Sequence, residues 1–321
     1  MAHYLVTGGA VFIGSNLVND LVENHKVVVI DNCSMGKIEN LTDSANLEFI
    51  KGDVTDQNLL EEVLNDKNFD YIFHLAAIAS VAASVERPFK THEVNFDSVF
   101  QLLEKSKKFQ PFLKRFVFSS SAAVYGDEPT LPKQEESVIR PLTAYAIDKF
   151  AAEKFVLMYN NLYGVPTSAV RFFNVYGPKQ NPSSPYSGVI SKCMDCFEKV
   201  KEGYDAKFTL FGDGKQSRDF VFVKDVIKAL RIVSEHPKSL GEAYNVGTGK
   251  ATTLLEFFSI TENILKKNLP ISYKKARSGD IKKSFADIAK LCALGYQPKY
   301  NMRQGMEEYI LYLNHQDIFT K

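Results

Sequence analysis

Tyr145 and Lys149, in Tyr145-Ala146-Ile147-Asp148-Lys149, are the residues best suited by type and spacing to move a proton. In a helix, a spacing of four sets the phenol and the ammonium on one face. A neighbouring ammonium favours the phenolate, which draws the tyrosine pKa toward neutrality and makes it a usable base. The run Ser119-Ser120-Ser121-Ala122-Ala123-Val124-Tyr125-Gly126 follows the apolar Phe116-Val117-Phe118, so its hydroxyls stand at the end of a predicted strand. In a parallel sheet that is the end where ligands sit. YxxxK alone is common and gains meaning only from its surroundings.

The strongest surrounding signal is Gly8-Gly9-Ala10-Val11-Phe12-Ile13-Gly14, between the predicted strand Tyr4-Leu5-Val6-Thr7 and a helical stretch from Ser15 to Glu23. Glycines there let a dinucleotide's pyrophosphate reach the positive end of the helix, and let helix and strand pack closely. Asp31 closes the second predicted strand, 23 residues after Gly8. A carboxylate at that place binds both ribose hydroxyls of adenosine and repels a 2′-phosphate, which selects NAD over NADP. Asp53-Val54 is expected to border the adenine, and Leu75-Ala76-Ala77 to leave backbone close to the cofactor. Asn32, Asn95, Ser119 and Phe172 complete the candidate cofactor contacts, while His74 reads as a packing residue at a strand end.

These residues need a sheet to hold them. Short apolar runs at 27–30, 47–50, 71–73, 116–118 and 167–172 alternate with helical spacings, which predicts crossover connections. The fold class is α/β, a Rossmann-type doubly wound parallel sheet with a smaller C-terminal mixed α/β lobe. The expected division is a NAD-binding domain over 1–175, including the Tyr145/Lys149 helix. Residues 176–321 are mainly a substrate lobe, with some chain returning to the sheet. In that lobe the turn-rich Asn181-Pro182-Ser183-Ser184-Pro185 precedes a helix over 189–201. Strands are expected at 208–211, 219–223 and 243–246, and helices near 224–235, 253–266 and 303–314.

Thirty-nine basic residues against thirty-eight acidic ones provide no long-range attraction to nucleic acid or an anionic membrane. No apolar stretch reaches membrane-spanning length and no leader precedes the first strand, so a cytoplasmic setting is expected. Cys193 and Cys196 form a CxxC pair without a second pair or nearby histidines, and read as free thiols rather than metal ligands.

Together the glycine loop, Asp31, Ser121 and Tyr145-x-x-x-Lys149 resemble the extended short-chain dehydrogenase/reductases, and among them the nucleotide-sugar 4-epimerases, over nearly the whole chain. The resemblance implies Tyr145 as base, Lys149 as its partner and Ser121 as the hydroxyl that binds the sugar oxygen being oxidised. It implies that Asn174, in Arg171-Phe172-Phe173-Asn174-Val175-Tyr176-Gly177, holds the sugar diphosphate. Arg218, Arg277 and Asp280 match the C-terminal grip on diphosphate and ribose, and the stretch from Asn181 to Val189 matches a substrate-binding turn and helix. Family members also dimerise through two helices, matched here by segments 93–107 and 145–162. Two residues depart from the family pattern. Val11 stands where the family has glycine, so its side chain is expected to crowd the pyrophosphate. Asp148 stands where serine or threonine is usual.

Relatives that eliminate water carry an Asp-Glu pair after the catalytic hydroxyl, and those places hold Ala122 and Ala123. Epimerisation at C4 of a UDP-sugar is therefore favoured over dehydration or decarboxylation. A net dehydrogenase or reductase, and a nucleotide-sugar-binding protein impaired by Val11, are the other readings. Counting from Arg277, Ser284 occupies the place where a family tyrosine restricts the sugar to plain hexoses. A hydroxymethyl group leaves room for a 2-acetamido substituent. The expected substrates are UDP-N-acetylglucosamine and UDP-N-acetylgalactosamine, with UDP-glucose and UDP-galactose as a second pair.

Overall fold

The computed structural model describes residues 1–181, 188–276 and 281–319. Its first half runs β1 (His3–Thr7), α1 (Phe12–Leu21), β2 (Lys26–Asp31), β3 (Leu47–Lys51), α2 (Gln57–Asp66), β4 (Tyr71–His74), α3 (Val81–Glu86) and α4 (Pro88–His92). It continues through α5 (Ser98–Phe109), β5 (Arg115–Ser121), α6 (Ala144–Tyr163) and β6 (Thr167–Phe172). The second half has β7 (Asn174–Tyr176), α7 (Val189–Lys201), β8 (Phe208–Phe211), β9 (Ser217–Arg218), β10 (Phe220–Phe222), α8 (Val223–Glu235) and β11 (Ala243–Val246). It ends with β12 (Thr252–Thr253), α9 (Leu254–Leu265), β13 (Ile271–Lys274), β14 (Lys283–Ser284), α10 (Ala289–Cys292) and α11 (Met302–Phe319).

One parallel sheet of seven strands, in the order β11-β6-β5-β4-β1-β2-β3, carries the fold. Its β-branched runs suit strands buried on both faces. Along β2, Val27 and Val29 pack on the side of α1 and α8, against Leu17, Val18, Val226 and Leu230. Val28 and Ile30 pack on the other side with Leu60 and Val63 of α2, Leu102 of α5 and Val156 of α6. The strand order reverses at β1, between β4 and β2, which opens a crevice at the carboxyl ends of those strands. A separate apolar cluster, including Met194, Phe197, Phe208, Phe220, Phe257 and Tyr309, holds α7, β8, β10, α9 and α11 together.

The structure corrects several expected boundaries. α1 starts at Phe12 rather than Ser15, because the glycine loop turns directly into the helix. The expected strand over 219–223 is shorter: Phe220–Phe222 pairs with β7, and Val223 already opens α8. The helix expected over 93–107 is present, opening as a π-helical stretch, Glu93–Asp97, that runs directly into α5. Strands β7, β9, β12, β13 and β14 had no sequence expectation. Cys193 and Cys196 are buried free thiols within α7. Among the described residues no helix is long and apolar enough to cross a membrane.

Candidate active site

Ser121 is the last residue of β5, where its Oγ accepts the Ala123 N–H at 3.2 Å and turns the chain into a short 3-10 segment. α6 begins beside it. The Thr143 Oγ1 caps that helix by accepting the Ala146 N–H at 3.3 Å, so Tyr145 stands in the first turn. The Ser121 hydroxyl is near enough to the Tyr145 phenol to lower its pKa. One turn later the Lys149 ammonium is buried, donates to the Ser119 carbonyl at 2.7 Å and lies 4.8 Å from the Phe118 ring centroid.

In the protein alone, burial pushes the Tyr145 pKa up, opposed by the Ser121 hydroxyl. Lys149 is itself desolvated, with its pKa lowered to about 7 by burial against the pull of Asp148. The expected lowering of the phenol pKa rests on that ammonium together with the positive charge of a bound nicotinamide. Asp148 is engaged by His92, whose Nδ1 lies 2.7 Å from its Oδ1, and burial pushes that carboxyl up. His74 is a packing residue: its Nδ1 is 2.8 Å from Thr7 Oγ1, and burial, with Lys149 nearby, lowers its pKa to about 3.

A buried guanidinium ties the Ser121 turn to α6. Arg171 Nε and Nη2 donate to the two oxygens of Glu153 at 2.9 and 2.6 Å, and Nη1 donates to Tyr125 Oη at 2.8 Å and to the Glu135 carbonyl at 2.9 Å. Tyr125 Oη donates in turn to Asn245 Oδ1 at 2.7 Å, in β11. Sequence reasoning missed this hub. The available signal was Glu153, a charge one turn beyond Lys149 among apolar helix positions, with Arg171 inside a buried strand.

The crevice at β1 is a cavity lined by Gly8, Val11, Phe12, Asp31, Asn32, Asp53, Val54, Ala76 and Ala77. Gly8 has φ +70, and a Cβ there would lie 2.7 Å from the Ala76 nitrogen; one on Gly14 would lie 2.1 Å from the Gly8 carbonyl oxygen. Both glycines are required by space, as a close dinucleotide approach needs. Val11 has an ordinary extended backbone (φ −87) at the N-cap of α1, supplies no side-chain cap, and turns a partly exposed side chain onto the cavity wall. The first amides of α1, Ile13 among them, therefore lack a side-chain acceptor at the end that attracts phosphate. Asp31 is buried, with its oxygens accepting the Ala10 and Cys33 amides at 2.9 and 2.8 Å. Asn95 does not line the cavity: its amide is used by the backbone of Ile78, and so braces the loop after β4. Ser119 Oγ donates to the His74 carbonyl at 3.0 Å, bracing β5 on β4, where Leu75 follows. Phe172 is paired in register with Ser121. These residues fit NAD.

A second cavity is lined by Asn174, Val189, Lys192, Lys199, Lys207, Phe211, Gln216, Arg218 and Leu254. Lys192, Lys207 and Arg218 suit a diphosphate, Lys199 being paired at 2.7 Å with Asp195 on the same wall, and the apolar side chains suit a flat base. The lysines had not been singled out in the sequence. Arg218 Nη1 donates to the Ser217 carbonyl at 2.9 Å, and the next residue, Asp219, is a buried carboxylate that accepts from Thr248, Gly249 and Ala286. Ser284 is half-buried and pairs with Arg218 in register, in the small sheet β12-β9-β14. Arg277 and Asp280 lie outside the described residues, as does most of the stretch between Asn181 and Val189. β4 runs on into Ala76 at the first cavity and β6 into Asn174 at the second, and Ser121 ends β5, the strand between those two.

Residues 4–247 match the family described as NAD dependent epimerase/dehydratase. The chain is 35% identical over 308 residues to a UDP-glucose 4-epimerase of Mycolicibacterium smegmatis, covering 94% of this chain and 95% of that one. Its structure superposes with a TM-score of 0.91, at 37% identity, on a UDP-N-acetylglucosamine 4-epimerase from Methanobrevibacter ruminantium M1 in complex with UDP-N-acetylmuramic acid, covering 98% and 99% of the two chains. With a UDP-glucose 4-epimerase of Thermotoga maritima bound to UDP-glucose, the TM-score is 0.90 at 35% identity, with the same coverage. The chain belongs to the NAD dependent epimerase/dehydratase family, whose cofactor the β1 crevice is built to hold.

Proposed function

We propose that this protein interconverts UDP-sugars epimeric at C4, with NAD in the β1 crevice and the nucleotide in the second cavity. The observation that carries this reading is the Ser121 hydroxyl beside the Tyr145 phenol, with buried Lys149 one turn along α6, in a chain whose two cavities suit NAD and a nucleotide diphosphate. Bound NAD supplies a positively charged nicotinamide that takes up the C4 hydride and returns it. Tyr145 accepts the C4 hydroxyl proton and later gives it back, and Ser121 hydrogen-bonds the same oxygen as charge develops on it. Lys149, with the charge of a bound nicotinamide, would stabilise the phenolate and would hold the nicotinamide ribose. Ala122 and Ala123 put no carboxylic acid beside Ser121, so a leaving hydroxyl would lack its proton donor.

Asn174, Val189 and Arg218 are assigned to the UDP moiety, joined by Arg277 and Asp280. Residues 1–175 act as the NAD half, and 176–321 mainly as the substrate half. The protein is assigned as a homodimer through α5 and α6. Ala152, Val156 and Tyr159 belong to the core, whereas Ile147 and Leu162 of α6 and Phe89 of α4 are exposed and free to meet a second copy.

Ser284, beside Arg218, is assigned as the gate for the C2 substituent. This makes UDP-N-acetylglucosamine and UDP-N-acetylgalactosamine substrates, with a pocket that also admits UDP-glucose and UDP-galactose. Incubating the enzyme separately with all four, and resolving epimers by chromatography, tests it. Ser284→Tyr should abolish acetamido-sugar turnover first. Turnover of plain hexoses alone by the unmodified enzyme would refute the gate.

A further inference from the structure

Lys179 comes from the second half of the chain, in the loop after β7, yet it lines the β1 crevice beside Val11. Its backbone has φ +69, a left-handed conformation that a non-glycine residue adopts only when its surroundings enforce it. Those surroundings are visible. Asn16 of α1 donates through Nδ2 to the Pro178 carbonyl at 3.0 Å, pinning the loop to the helix. The Lys179 ammonium donates to the Asn40 carbonyl at 2.7 Å, a group that also receives Asn19 Nδ2 at 3.1 Å. Asn40 Nδ2 donates at 2.9 Å to the carbonyl of Ala10, inside the glycine loop. The ammonium is thus fastened one hydrogen-bonded residue away from the loop that faces the cofactor.

No carboxylate among the described residues pairs with Lys179, and burial alone draws its pKa down to about 8. A second cation, Lys37, lines the same wall. A partly desolvated cation without a carboxylate partner, on the wall of a cavity that also takes in the uncapped N-terminus of α1, is stabilised by an anion.

We propose that Lys179 binds the diphosphate of the dinucleotide, so that the second half of the chain clasps the cofactor. This rests on the β1 crevice being the NAD site. It identifies the diphosphate, not the adenosine, as the part of the ligand that Lys179 recognises.

The test compares the full chain, freed of carried-over nucleotide, with K179Q and K179R in titrations with NAD, ADP-ribose and adenosine. K179Q should bind NAD and ADP-ribose about tenfold more weakly, the scale of one lost charge-assisted hydrogen bond, and adenosine as the unmodified chain does. K179R should restore most of the affinity. K179Q binding NAD within roughly twofold of the unmodified chain, or losing adenosine as strongly as NAD, would overturn the assignment while leaving the NAD site intact. An unmodified chain that binds none of the three would overturn the NAD reading, and this inference with it.

Discussion

Replacing Arg171 with leucine should expose how much the catalytic frame depends on one buried ion pair. The guanidinium is held by both Glu153 oxygens at 2.9 and 2.6 Å, and the side chains are 3% and 0% exposed. Arg171→Leu leaves the Glu153 carboxylate buried without its cation, a change that destabilises by about 3–5 kcal/mol. Tyr125 keeps its bond to Asn245, but the Glu135 carbonyl loses a donor, which places the estimate near the upper end of that range. For a chain of this length each kcal/mol lowers the midpoint by about 2 °C, so a fall of about 8–10 °C is expected. Calorimetry of the single variant and of Arg171→Leu with Glu153→Leu checks the reasoning. The double variant should recover most of the loss, because no charge is left stranded. Its turnover should stay low, because the tie from α6 to the Ser121 turn is gone. A single variant within about 2 °C of the parent, or a double variant as unstable as the sum of its parts, would refute it.

His74 stays neutral down to about pH 3 through burial and the nearby Lys149, whereas an unfolded histidine binds its proton near 6.5. Its contribution to stability is therefore complete above about pH 6.5 and declines toward pH 3, by up to about 1.4 kcal/mol per pH unit. His74→Asn keeps a polar atom near Thr7 and should flatten that acid slope in denaturant titrations; an unchanged slope would assign it to other groups. Val11→Gly should raise the NAD content of purified protein if the valine crowds the pyrophosphate, and equal content in both forms would show that the loop already accommodates it. Sedimentation at micromolar concentration should find a dimer, and a species of 36.1 kDa alone would rule one out.

The parts legible in the sequence are those set by local pattern. Val27 to Ile30 could only be a strand buried on both faces, and the Gly8-to-Gly14 loop between strand and helix located the cofactor cavity. Tyr145 and Lys149 needed only helical spacing. Tertiary contacts decided the rest. β9, β12 and β14 are two residues each and exist only because they pair with one another. Lys179 lies 171 residues from Gly8, and only the folded chain brings it to the same crevice. The burial that raises the Tyr145 pKa and lowers that of Lys149 is a matter of solvation that spacing does not encode.

The central claim is that hydrogen leaves C4 as hydride and comes back to the same carbon while Tyr145 handles only the hydroxyl proton. The most direct test is proton NMR of UDP-N-acetylglucosamine incubated with the enzyme in D2O. The account predicts that the C4 epimer forms with its C4 hydrogen fully retained, without net formation of reduced cofactor, and that Tyr145→Phe produces almost none of it. Deuterium appearing at C4 of the product would mean that a proton is abstracted from carbon and replaced from solvent, and would contradict the account.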